Sequence, residues 1–91
     1  MPKLYEICGY QISIWSNENG EPVHVYVSKK RPSPNSPKLW LTSLGTFIPA
    51  NPNDKRIKAN ELDAIITKLN CNASEVLAYW RAYFGYVKFY K

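Results

Sequence analysis

Residues 15–27 read W-S-N-E-N-G-E-P-V-H-V-Y-V, from Trp15 to Val27, and the step from polar turn to strict alternation inside this stretch sets the fold class. Ser16, Asn17, Glu18, Asn19 and Gly20 carry no apolar side chain and include a glycine, which reads as a turn. From Val23 onward, Val23, Val25 and Val27 share one face of an extended chain, and His24, Tyr26 and Ser28 share the other. The only histidine therefore sits on a strand, two positions from a tyrosine and just after a polar turn.

Upstream, Leu4 to Cys8 and Tyr10 to Trp15 alternate with period two, and Gly9 between them predicts a bulge or tight turn. The Ser16–Glu21 turn joins the second strand to a third over Val23–Lys29, giving an antiparallel hairpin. Downstream, residues 30–37 (K-R-P-S-P-N-S-P) contain Pro32, Pro34 and Pro37, which remove backbone donors and exclude a central strand or a helix. Lys38–Thr42 reads as a fourth strand and Thr46–Ile48 as a short fifth, followed by a turn region rich in proline and asparagine.

From Ala59 the period becomes helical. Leu62, Ile65, Ile66 and Leu69 form one stripe, predicting a helix over about 59–70. Asn72 with Glu75 has the spacing of a capping box, which starts a second helix over about 73–84 with Val76, Leu77, Trp80, Tyr83 and Phe84 buried. Gly85 is placed to stop it. Residues 86–90 alternate again and predict an edge strand or a packed tail. Strands over about 3–48 followed by helices specify α+β: a single domain, residues 1–91, with an antiparallel sheet of four to five strands packed by two C-terminal helices.

The net charge of +5 is unevenly spread. Residues 29–58 hold Lys29, Lys30, Arg31, Lys38, Lys55, Arg56 and Lys58 against Asp54 alone, while residues 1–28 are net acidic. A basic segment of this kind attracts phosphate backbone or an acidic protein, and Tyr26 and Trp40 offer stacking surfaces for bases. On other surfaces the same charge only keeps a small domain soluble. Arg31-x-x-Pro34-x-x-Pro37 fits a polyproline ligand, a pattern that a plain surface loop also meets.

His24 is the candidate catalytic residue, because a histidine near neutrality serves as base or acid. With no second histidine and no Cys-x-x-Cys spacing, no metal site is expected, and nothing points to a cofactor. Cys8 and Cys71 read as free thiols acting as small buried hydrophobes. No phosphate-cradling glycine loop, nucleophile elbow or catalytic carboxylate pair occurs, which argues against a conventional metabolic enzyme. No leader-like run follows Met1, and no apolar stretch approaches the roughly 20 residues that span a bilayer, so a cytoplasmic protein away from membranes is expected.

Ser16-Asn17-Glu18, Pro22, His24 and Val27 resemble the S-N-E-H-x-P-x-H-x-H-V motif of a small bacterial family, domain of unknown function 4160. Met1-Pro2-Lys3-Leu4-Tyr5-Glu6 with Gly9-Tyr10, Lys38-Leu39-Trp40-Leu41, and Trp80-x-x-Tyr83-Phe84-Gly85 are similar to other parts of the family pattern. Two family histidines fall on Asn19 and Tyr26 here, leaving His24 alone of a three-histidine cluster. The resemblance implies a component of a toxin–antitoxin-like module, with a cognate partner from an adjacent gene. Three functions suit these residues. The preferred one is non-enzymatic binding of RNA, DNA or an acidic protein through the basic segment. The others are a small ribonuclease using His24 with Lys29, Lys30 or Arg31, and a structural or self-associating domain.

Overall fold

The computed structural model describes residues 3–14, 21–29 and 36–90. The polar turn with Ser16, Asn17 and Glu18, the basic residues Lys30 and Arg31, and the proline motif through Pro34 lie outside the described residues. Five strands form one antiparallel sheet: β1 (Lys3–Ile7), β2 (Tyr10–Ser13), β3 (His24–Ser28), β4 (Lys38–Leu41) and β5 (Phe47–Pro49). Their spatial order is their chain order, a meander in which each strand pairs with its sequence neighbours. Two helices follow, α1 (Ala59–Cys71) and α2 (Ala73–Phe84), completing the α+β arrangement expected from the pattern change at Ala59.

The β1–β2 connection is a two-residue turn in which Cys8 and Gly9 both have positive φ, 54° and 79°. Positive φ at both central positions matches the twist of the flanking strands, and glycine supplies it without a Cβ clash. A bulge is present as well, but in β1 between Lys3 and Tyr5 rather than at Gly9. Pro49 occupies β5, an edge strand, where a missing N–H costs no ladder bond. The Phe47 N–H at the start of β5 donates to Asn70 Oδ1 at 2.9 Å, fastening this edge to α1.

Registers across the sheet separate two side-chain sets. Ile12 lies opposite Val27, Val25 opposite Leu39, and Leu41 opposite Phe47; these apolar residues are buried with Ile65 and Leu69 of α1 and Val76 and Trp80 of α2. Each such side chain contributes about 1.5–3 kcal/mol when removed from water, so this cluster carries most of the driving force. The other set is Ser13 opposite Tyr26, His24 opposite Trp40, and Tyr26 opposite Lys38.

Several expectations change. Asn72 does not form a capping box: as N-cap of α2 it makes no side-chain cap bond. Its Nδ2 instead donates to Lys68 O at 2.9 Å, closing the end of α1. Gly85 does end α2, with φ 74° and its N–H donating to Arg81 O at 2.8 Å. Tyr83 is 54% exposed rather than buried: it falls at the margin of the buried stripe, on the side of Tyr79, which is exposed as well. Cys8 and Cys71 are exposed, not core residues, because the first sits in a turn and the second on the outer side of the last turn of α1. Residues 86–90 add no strand. They pack as an extended tail across the ends of β3 and β4, with the Val23 N–H donating to Lys88 O at 2.8 Å and the Tyr90 N–H to Leu41 O at 3.0 Å.

Candidate functional site

Alternation places His24 opposite the valine face, and the structure shows what it meets there. It is fully buried. Three aromatic rings surround it edge-on, with centroids 5.3 Å away for Tyr26, 5.1 Å for Trp40 and 5.1 Å for Trp80. Nδ1 lies 2.8 Å from Pro22 O. A carbonyl only accepts, so Nδ1 donates, and the proton of the neutral ring resides on that nitrogen. Pro22 thus contributes a backbone acceptor. A general base must reach the proton it removes, whereas this imidazole has no solvent-facing edge. Its geometry is that of a packing residue held by the bond to Pro22 O and by a cage of rings.

The cage reaches both ways along the chain. Trp80 contacts Phe84 at 4.3 Å and Tyr86 at 6.2 Å between centroids, and the Tyr86 hydroxyl donates to Glu21 O at 2.8 Å. On the sheet side, Tyr90 stacks on Trp40. Tyr26 is 1% exposed, so its ring offers no face for a base, and one face of Trp40 is already occupied by Tyr90. Both aromatics sit where strand spacing puts them, yet what lies over them could not be read from the strand.

The described basic residues do not share one site. Lys38 projects on the His24 side, its Nζ 4.8 Å from the Trp40 ring, 5.5 Å from the Tyr26 ring and 3.8 Å from a Glu21 carboxylate oxygen. Cation–π contact and a carboxylate together occupy this ammonium within the fold. Lys29 lies elsewhere, at Tyr10. Lys29, exposed just past β3, holds its Nζ 5.1 Å from the Tyr10 ring. The hydroxyl of the same tyrosine donates to Glu61 in the first turn of α1 at 3.0 Å. Lys58 is the N-cap of that helix and makes no side-chain cap bond, so no cap side chain satisfies the first-turn N–H groups; Lys55 and Lys58 are both exposed.

Arg56 is committed locally. Its Nη2 lies 2.6 Å from Asp54 Oδ2, and its Nε donates to Asp54 Oδ1 at 3.0 Å. This fork holds the Asp54 carboxyl below its usual range and pushes the guanidinium above its own. The Tyr10 phenol is pushed up, first by burial and then by its bond to the Glu61 carboxylate. Tyr10 is the residue that sequence reasoning missed: it reads as one more alternating aromatic, and only the fold joins its ring to Lys29 and its hydroxyl to α1.

Among the described residues no group of three or more histidine, cysteine or acidic side chains could hold a metal ion. Among them, too, no helix is long and apolar enough to cross a membrane. Compared with family models, with curated proteins and with solved structures, the chain matches none.

Proposed function

We propose that this chain is a non-enzymatic binding protein that holds the phosphate backbone of a nucleic acid against the edge formed by Lys29, Lys55 and Lys58, and that it serves as one component of a toxin–antitoxin-like module. One observation carries this reading: Tyr10 links Lys29 through its ring and Glu61 through its hydroxyl, which brings the end of β3 to the first turn of α1, the helix that Lys58 precedes. A helix N-terminus adds outward N–H groups and a favourable dipole to the lysine charges, the usual elements of phosphate recognition. Burial of Tyr26 and the cover on Trp40 leave little for base stacking, which favours contacts to backbone rather than to sequence. The enclosed His24 weighs against the ribonuclease reading.

Fluorescence anisotropy with labelled RNA and DNA at two salt concentrations tests this. Affinity is expected to fall steeply with salt, and Lys29→Glu and Lys58→Glu each to reduce the slope of log K against log salt by about one. Binding that ignores salt, or that both variants leave unchanged, refutes the phosphate edge. Salt-sensitive capture of an acidic peptide with no capture of nucleic acid would transfer the surface to a protein partner.

A further inference from the structure

Of the five large hydrophobic residues exposed among the described ones, four lie in α2 and the tail after it: Tyr79, Tyr83, Phe89 and Tyr90. Tyr79 and Tyr83 are one helical turn apart and flank a ridge of Ala78 and Ala82, also one turn apart and also exposed. Shallow grooves run on both sides of Ala78, one bordered by Ser74, Arg81 and Ala82, the other by Glu75 and Tyr79. Small residues on a ridge let another helix approach closely, and tyrosine and arginine are the side chains that protein interfaces favour.

We infer that α2 packs antiparallel against α2 of a second copy, the two-fold axis passing beside Ala78. Charge selects this occupant and this direction. Glu75 and Arg81 stand three positions before and three after Ala78. An antiparallel pair centred there sets Glu75 of each copy against Arg81 of the other, twice, whereas a parallel pair would set like charges together. Residues 59–91 are also nearly neutral, with Glu61, Asp63 and Glu75 against Lys68, Arg81, Lys88 and Lys91. Two copies thus meet at α2 without the repulsion that their basic segments would impose, and those segments remain free. One helix face of twelve residues is small for an interface, so a weak dimer is expected, with Kd on the order of 10 µM.

Sedimentation equilibrium of the whole chain tests the inference. Wild type should dimerise; Arg81→Glu should weaken dimerisation by about tenfold or more; and the double variant Glu75→Arg with Arg81→Glu should restore it, because the swap recreates both pairs. As a readout independent of charge, Ala78→Cys in a chain whose Cys8 and Cys71 are replaced by serine should form a disulfide-linked dimer under mild oxidation, since a residue on the axis meets its own copy. Circular dichroism establishes that each variant is folded. A wild type that stays monomeric to about 0.5 mM overturns the proposal. So does a dimer that Arg81→Glu leaves intact and Ala78→Cys fails to link, and so does a monomer whose nucleic-acid affinity falls on Ala78→Glu substitution, which would assign the face to nucleic acid.

Discussion

Tyr90 lies flat on Trp40, ring centroids 5.1 Å apart and planes 11° from parallel, although the two residues belong to opposite halves of the chain. The stack is seconded by the Tyr90 N–H bond to Leu41 O, so both backbone and side chain anchor the tail to β4. It closes one side of the ring cage whose centre is His24. Tyr90→Ala should therefore lower stability by about 1–2 kcal/mol, the worth of an aromatic pair plus partial ring burial, and red-shift tryptophan emission as Trp40 gains water. Urea unfolding followed by fluorescence checks both, and an unchanged midpoint would show that the tail contributes nothing to the sheet.

His24→Ala should be one of the most damaging single substitutions. It empties a site lined by three rings and removes the Nδ1 bond to Pro22 O, an expected loss of about 2–4 kcal/mol. Catalytic residues behave in the opposite way, since replacing them commonly leaves stability unchanged or raised. Thermal melts of wild type and variant separate the two roles, and an unaltered Tm would return His24 to consideration as an active residue.

Tyr10 sets an alkaline limit on the fold. Burial, then the Glu61 carboxylate, raise its folded pKa above the value of 10.0 that the unfolded phenol keeps. The stability that this difference represents is complete below that unfolded value and disappears as pH rises through the higher folded one. Wild type should lose stability over this interval, and Tyr10→Phe, with no phenol to ionise there, should lose less. Denaturation at graded pH from neutral upward measures it; parallel curves for the two proteins would count against the linkage.

Cys8 and Cys71 should react with a thiol reagent in the native protein at rates near those of the unfolded chain. Both side chains are exposed, and neither needs an opening of the structure to be reached. Mass spectrometry after brief labelling without denaturant should find both sites modified. Protection of either one would place it in an interface between copies.

The element order, and the boundaries to within a residue or two, are legible because they depend on local periodicity: the alternation around Val25, the stripe from Leu62 to Leu69, and Gly85 as a stop. Cys8, Cys71 and Tyr83 were misread where residue type competes with position, since a turn or an outer helix face overrides hydrophobicity. Asn72 lies between abutting helices, and which of them its side chain serves depends on a rotamer that the spacing to Glu75 does not fix. The site was less legible still. That His24 lies on a strand opposite the valines is local information; that Trp80 covers it, and that Tyr10 joins Lys29 to Glu61, depends on how the helices return to the sheet.

A meander whose strands pair only with their neighbours in the chain needs short loops closed and little else, which makes hairpin formation fast. The ring cage is different: it joins His24 of β3 to Trp80 of α2, two residues far apart in the sequence. Closing so long a stretch of chain costs entropy that local hairpins do not, and a contact absent from the transition state is felt, when lost, mainly in how quickly the protein comes apart. The aromatic enclosure around His24 is thus expected to act as a latch on unfolding, setting the lifetime of the native state more than the speed with which the sheet assembles.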